Sequence, residues 1–430
     1  MPLPRLAIVG SGISGLGCAH FLHRRFDITV FEAADYVGGH TNTVTVTEDG
    51  RELPVDTGFM VFNRHTYPLL CRLFGELGVE TKRTDMSFSM SHQASGYEWN
   101  GGGLSRVFGQ RRNLVDPRFW RFVLQIHRFN GQCIAAMNDP RFERMTLGEF
   151  ARACGYGQDF LDLYIVPMGS AVWSTPPDRM QDFPARTLMH FWFNHGFLAM
   201  DTRHPWWTVC DGSRQYVRRL TPPFADRIRL KSPVARIERR DGGVIVQPVN
   251  GPAEAFDQVI LASHAPTSLR MLADATPLER EVLSAFKYQP NMAALHTDAS
   301  VMPRTRRCWA SWNYRVGEDE GGGIVPSTHY WMNNLQGVSD RVNYFVSINP
   351  PDNLDESKVL RRIDYEHPLF DLAAIDAQKR LPELRRESER THTLFCGAWG
   401  RYGFHEDGFM SAVETCEHLL GGDPWLMRNP

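Results

Sequence analysis

Residues 5–15 read Arg5-Leu6-Ala7-Ile8-Val9-Gly10-Ser11-Gly12-Ile13-Ser14-Gly15, and residues 27–32 read Asp27-Ile28-Thr29-Val30-Phe31-Glu32. The first run is short and apolar enough for a buried parallel strand, the pattern from 13 to about 25 is helical, and the second run is another strand. Together they form a βαβ unit with G-x-G-x-x-G in its turn and an acid about 20 residues on, the fingerprint of a dinucleotide site. Each position has its own physical reason. Gly10 makes the tight turn, Gly12 lets a pyrophosphate reach the helix N-terminus, and Gly15 lets helix and strand pack closely. Glu32 accepts hydrogen bonds from a ribose diol, and Ser14 sits inside the same turn.

Beyond this unit, residues 37–43 (Val37-Gly38-Gly39-His40-Thr41-Asn42-Thr43) and 55–59 (Val55-Asp56-Thr57-Gly58-Phe59) put further glycines beside the ligand, on either side of a hairpin centred on residues 48–50. Residues 66–78 fit an amphipathic helix with Tyr67, Leu70, Leu73, Phe74 and Leu77 on one face and Gly78 as its stop. From about 82 to 204 the dinucleotide pattern gives way to aromatic helical segments, including residues 188–200. In one of them Phe119, Trp120, Phe122, Val123, Ile126 and Phe129 sit among Arg106, Arg111, Arg112, Arg118, Arg121 and Arg128. Strand patterns return at 227–237, 243–249 and 256–262. The chain closes with a strand and glycine at 393–398 and a helix from about 408 to 420. A strand, glycine and helix at both ends imply one nucleotide domain assembled from distant segments.

The chain has 430 residues, 22% charged and 42% hydrophobic, with a formal net charge of −2. That composition excludes disordered, collagenous and disulfide-stapled classes, and the absence of a basic excess argues against a nucleic-acid partner. No stretch reaches the ~20 apolar residues of a membrane span, and the opening residues lack a cleavable apolar leader, so the expected location is cytoplasmic. The eight cysteines show no metal-ligand spacing, and no metal is expected.

These motifs resemble the flavin-containing amine oxidase, carotenoid desaturase and protoporphyrinogen oxidase superfamily. The resemblance rests on VGSGISGL (9–16), GGH (38–40), Asp56-Thr57-Gly58, the strand at 256–262 and FCGAWGRYGFHEDGFMSAVE (395–414). WxVxDGSRxYV (207–217), WASWNY (309–314), THYWMNNLQ (328–336) and YEHPLF (365–370) look like the bacterial FAD-binding proteins encoded beside cyclopropane-fatty-acid synthases. The resemblance implies an α/β fold: a Rossmann-like FAD-binding domain from residues 1–80, 205–285 and 386–430, and a discontinuous α+β substrate domain from 81–204 and 286–385. It implies FAD, expected to be noncovalent because the C-terminal motif has no cysteine-histidine pair for attachment, with Gly10, Gly12, Ser14 and Gly15 at the pyrophosphate and Glu32 at the ribose. Gly38, Gly39, His40 and Thr41 would form a second phosphate wall, Val234 would lie against the adenine and Gly58 near the flavin ring. Gly397 would follow on the closing strand, with Asp407, Gly408 and Phe409 bringing a helix N-terminus to the flavin.

Two departures from the superfamily pattern shape the expected activity. His40 replaces a common arginine. The strand segment Asn291-Met292-Ala293-Ala294-Leu295 lacks the lysine found in many amine-oxidising members; the chain has five lysines in all, and the nearest, Lys287, is expected off-site. Amine oxidation is therefore disfavoured. Trp173, Trp312, Tyr330 and Trp331 are candidates for an apolar acyl-chain pocket, although for any single one core packing is the commoner role, and His195, Tyr314 and Asn333 are catalytic candidates. His264 fits a turn better than a catalytic base. The expected chemistry is dehydrogenation of unsaturated or methyl-branched acyl chains of phospholipid. Rival readings are a redox-neutral double-bond isomerase, a flavin-bearing partner of a cyclopropane-synthase-like methyltransferase and, more weakly, an amine oxidase. The arginine-rich aromatic segment at 107–129 reads either as a contact with the inner face of a membrane or as a solvated basic helix.

Overall fold

A computed structural model describes residues 2–198, 204–318 and 324–428. The strands Ile228–Arg229, Asp27–Phe31, Arg5–Val9, Gln258–Leu261 and Thr393–Phe395 lie side by side in that order, all parallel. The apolar runs of the three central strands, Asp27–Phe31, Arg5–Val9 and Gln258–Leu261, are buried on both faces, as a parallel sheet requires. The helix Ile13–Leu22 follows the first strand and is buried along its whole length. Small residues let the helix His405–Leu420 lie close against it. A β-carbon on Gly17 would come within 2.9 Å of Ala412, and one on Gly408 within 2.9 Å of Ile13.

The second sheet has seven strands in the order Val359–Leu369, Lys287–His296, Phe345–Ile348, Ile324–Trp331, Trp312–Glu318, Phe88–His92, Tyr97–Asn100. Its pairings are antiparallel except between Trp312–Glu318 and Phe88–His92. Helices from residues 104–194 pack on it through an aromatic core that includes Phe119, Phe122, Phe129, Phe160, Trp173 and Trp192. A small sheet of Phe62–Asn63, Trp206–Val209 and Thr81–Thr84 lies at the start of this region.

The expected helix at 66–78 is Pro68–Leu77, closed by Gly78 at φ +62°. The last long helix starts at His405, a turn earlier than the pattern from 408 suggested. Residues 188–194 belong to the helix Ala185–Asn194, while Ala199 and Met200 lie outside the described residues. Among the described residues no helix is long and apolar enough to cross a membrane.

Candidate functional site: a nucleotide cradle opening into an aromatic cavity

One continuous cavity of about 600 Å³ runs from the glycine turn to the aromatic core of the second domain. At its nucleotide end Gly10, at φ +106°, lies against the Ala262 carbonyl, and a β-carbon there would sit 2.5 Å from that oxygen. A β-carbon on Gly15 would be 1.9 Å from the Gly10 carbonyl oxygen, so Gly15 faces inward and packs helix on turn. Gly12 is the opposite case: a β-carbon there would meet nothing within 4 Å and would point into open space at the helix N-terminus. Gly39 closes on it from the other side, 3.1 Å from the Gly12 α-carbon to where its own β-carbon would be.

Glu32 lines the cavity and is already oriented. It accepts from the Ser11 amide at 2.8 Å, the Ser11 hydroxyl at 2.6 Å and the Ala34 amide at 2.8 Å. An ionised carboxylate has about four acceptor positions, which leaves room for a ribose hydroxyl. Val234 lies in the same wall beside Ser232 and Pro233.

Further along, the backbones of His40 and Gly58 are locked together. The His40 carbonyl accepts from the Phe59 amide at 2.7 Å, and a β-carbon on Gly58 would lie 2.2 Å from that oxygen. The His40 ring stacks on Tyr365 with centroids 4.8 Å apart, and its Nε2 is buried with no protein partner. Burial, reinforced by His367, His264 and His405, holds His40 well below the usual histidine value, so it is neutral. His264 pairs with Glu366 at 3.0 Å and stacks on Tyr288.

Several expected contacts lie elsewhere. Gly38 is tucked under its own turn, its amide on the Ser11 carbonyl at 3.0 Å, outside the cavity lining. Thr41 turns away into a buried polar knot, its hydroxyl 2.5 Å from the Tyr216 hydroxyl and 3.2 Å from His405 Nε2. Ser14 lines the cavity, but its hydroxyl donates to the Gly408 carbonyl at 2.8 Å, tying the first helix to the last. At the last helix, Asp407 accepts from the Phe404 amide at 2.9 Å and is buried, which raises its carboxyl to about 7. Gly408 packs on Ile13, and Phe409 is core, stacked on Phe21. The helix N-terminus does reach the cavity, but through Gly403, Phe404 and His405, one turn earlier. Gly397 lines the cavity on the closing strand. Cys396 faces Cys18 in the core, with sulfurs 3.9 Å apart, and no cysteine is among the described lining residues.

The far end of the cavity is aromatic. Trp173, Phe191, Trp312, Tyr330, Tyr402 and Phe404 line it, with Met60 and Met86 between them. Trp312 and Tyr330 are cross-strand partners whose rings lie 4° from parallel. His195 also lines this end. Its Nδ1 meets the Phe191 carbonyl at 2.9 Å, its ring stacks on Phe191, and burial brings it down to about 4. Three candidates fall outside. Tyr314 is buried in the helical core, with its hydroxyl away from the cavity lining. Trp331 points to the opposite face of its strand and donates to Asn343 at 2.9 Å. Asn333 organises the next loop, donating to the Ser339 and Val342 carbonyls and accepting from the Tyr344 amide.

Sequence reasoning missed His367, Glu366 and His405. The first two stand inside YEHPLF, where they serve only as part of a marker, and the third lies two residues before Asp407, separated from it by Glu406. Lys287 is exposed and paired with Asp371 at 2.8 Å, and no lysine or arginine is among the described lining residues.

A discontinuous nucleotide domain whose cradle opens into a second, aromatic domain defines the two-domain FAD-binding class. The chain belongs to the flavin-containing amine oxidoreductases, an FAD-dependent oxidoreductase family whose model matches residues 13–297. Human amine oxidase [flavin-containing] B is 23% identical over 283 residues, covering 63% of this chain and 52% of that protein. The chain thus spans about half the length of the curated relatives it matches. Cyclohexylamine oxidase from Brevibacterium oxydans IH-35A superposes with a TM-score of 0.67 at 15% identity, covering 97% of this chain and 100% of the other. The CLA-producing fatty acid isomerase from P. acnes superposes with 0.65 at 16%, covering 95% and 97%. At such identities these structures establish the fold alone. FAD is the cofactor of this family, and the residues present fit it. The open face of Gly12, the orphaned His40 Nε2 and the Glu32 carboxylate are what a dinucleotide with a pyrophosphate and a ribose diol would satisfy.

Proposed function

We propose that the protein is an FAD-dependent dehydrogenase of an unsaturated or methyl-branched fatty acyl chain carried on phospholipid. The observation that carries the reading is the chemistry of the cavity's far wall. Its two acidic lining residues, Glu32 and Glu366, are both tied to loops of the nucleotide sheet, through Ser11 and His264. The aromatic end therefore has no carboxylate among the described residues to pair with an ammonium group, whereas an alkyl chain is stabilised there by burial alone, at roughly 0.8 kcal/mol per CH₂.

Bound FAD supplies the hydride acceptor. The protein's own groups would bind and orient the chain: Trp173, Phe191 and Trp312 supply apolar walls that exclude water, and Gly12, Gly39 and Glu32 fix the nucleotide end. Dehydrogenation also requires a proton to leave the chain. His195 is neutral and lines this end, so it is the proposed acceptor of that proton.

A second reading, a redox-neutral double-bond isomerase, draws on the same wall. Returning the hydride needs no base, and ring faces stabilise positive charge left on the chain. Anaerobic incubation with phosphatidylglycerol bearing monounsaturated or methyl-branched chains separates the two. A dehydrogenase bleaches its flavin once and yields a lipid lighter by two hydrogens. An isomerase keeps its colour and moves the double bond at constant mass. If neither occurs with any acyl lipid while a primary amine bleaches the flavin, both readings fall.

A further inference from the structure

The long helix Pro117–Met137 has a buried face that the fold uses and an outer face that it does not. Phe119, Phe122, Phe129 and Cys133 pack into the aromatic core that walls the cavity. On the opposite side, Trp120, Leu124 and Ile134, with His127 and Gly131 between them, share one stripe at helical spacing. Trp120 is 42% exposed, Leu124 62% and Ile134 51%, and Val115 and Leu104 in the preceding turns reach 84% and 65%. Exposed apolar residues grouped in this way mark an interaction surface, whereas isolated ones need no explanation.

The stripe is held rigidly. The Trp120 indole donates to the Leu114 carbonyl at 2.9 Å and packs on Phe108 with centroids 4.8 Å apart. Arginines frame it. Residues 104–134 contain six arginines against one acid, Asp116, in a chain whose overall charge is −2. Of the six, only Arg118 has a carboxylate partner among the described residues, Asp159 at 2.6 Å. Arg111 and Arg112 instead donate to backbone carbonyls of Phe108 and Gly96, and Arg128 to that of Cys154. The Asp116 carboxylate is engaged by the Tyr97 hydroxyl and by the amides at its own helix start.

We propose that this face docks on an anionic lipid bilayer, with the helix lying in the headgroup plane, Leu124, Ile134 and Val115 seated below it and the arginines on the lipid phosphates. Charge complementarity selects the occupant. A largely apolar stripe bordered by guanidinium groups most of which have no carboxylate partner, with an indole at the boundary, matches the gradient from acyl chains to phosphates. The docked helix would separate the bilayer from the substrate cavity by the thickness of its own inner face. Bilayer docking stands independently of the substrate reading, because it is measured without turnover.

The test is co-sedimentation of the FAD-loaded protein with vesicles of phosphatidylcholine alone and of equal parts phosphatidylcholine and phosphatidylglycerol. Wild type should bind the anionic vesicles and not the neutral ones. The variant Arg106→Glu/Arg112→Glu/Arg121→Glu should bind about a hundredfold more weakly or worse, since each of the three basic residues near such a surface contributes roughly fivefold. Val115→Ser/Leu124→Ser, which keeps every charge, should also bind more weakly. Unchanged flavin content and melting temperature establish that both variants fold. Absence of wild-type binding to anionic vesicles overturns the proposal, as does loss in the charge variant with none in the serine variant, which would mean adsorption without seating. Capture of an acidic protein by a chain that ignores vesicles overturns it too.

Discussion

Asp56 and Gln336 are 280 positions apart in sequence and grip each other twice. The Asp56 amide donates to Gln336 Oε1 at 3.0 Å, and Gln336 Nε2 donates to the Asp56 carboxylate at 2.6 Å. The same carboxylate accepts from the Thr43 hydroxyl and from the Ser213 amide and hydroxyl. Three motifs quoted separately from the sequence, around residues 56, 213 and 336, thus meet at one buried acid. Burial raises its carboxyl, but every neighbour named here is a donor, so the ionised form is the one the site satisfies. Asp56→Ala should cost about 3–5 kcal/mol, because it strands four donors around a void. Gln336→Ala should cost about 1–3 kcal/mol. Chemical denaturation measures both, and equal, small losses would show that the knot is not a unit.

Gly12 and Gly15 are three residues apart and predict opposite phenotypes. A β-carbon on Gly12 meets only the cavity, and its φ of −68° suits any residue. Gly12→Val should therefore leave the apoprotein folded, with wild-type melting temperature, and abolish FAD retention on gel filtration. Gly15→Ala drives a methyl to 1.9 Å from the Gly10 carbonyl oxygen and should prevent soluble expression. A Gly12→Val protein that still carries stoichiometric flavin would remove the pyrophosphate from this turn.

The contrast explains what was legible from sequence. Glycines in a βαβ turn state their constraint in their own identity, and the strands at 5–9, 27–31 and 258–261 are continuous apolar runs, so the nucleotide half could be read directly. Trp331 was misassigned where period-two alternation would have helped: Tyr330 faces the cavity, so its neighbour cannot. Thr41 was misassigned for a reason no local pattern carries, since its partners Tyr216 and His405 lie 175 and 364 residues away. Asn333 stood among aromatics that suggested a pocket, yet its amide serves backbone groups of the loop that follows. Polar side chains have several ways to be satisfied, and sequence does not choose among them.

Buried histidines should set the acid limit of stability. Burial brings His195, His296 and His367 from 6.5 to about 4 and pushes His329 well below its usual value. Unfolded, each takes up a proton near 6.5; folded, each stays neutral until the pH approaches 4 or lower. The unfolded state therefore binds more protons across that window, and stability present above 6.5 is lost as pH falls toward 4. Glu406 and Asp407 act oppositely: burial raises both to about 7, so their contribution is lost as pH rises toward 7. With His40 and His405, which burial also lowers, the histidines outnumber the raised acids Glu406, Asp407 and Asp56, and the melting temperature should fall from pH 6.5 to 4. Asp407→Asn should steepen the fall by removing an opposing group, and a melting temperature that rises toward pH 4 would refute the assignment.

Reaction with air should be slow. As dioxygen takes up an electron it becomes an anion, and a fixed cation nearby stabilises that charge without reorganisation. The described lining of the cavity offers no lysine or arginine, Lys287 is committed to Asp371 at the surface, and the neighbouring histidines His40, His367 and His405 are neutral at pH 7. Holoenzyme reduced with dithionite, freed of excess reductant and mixed with aerated buffer should regain its oxidised absorbance no faster than free reduced FAD. Fast recovery with one equivalent of hydrogen peroxide would mean that a cation reaches the ring from outside this wall, and the protein would then work as an oxidase. Slow recovery requires a dehydrogenase to pass its electrons to another acceptor, whereas an isomerase, which returns the hydride to its substrate, would need none.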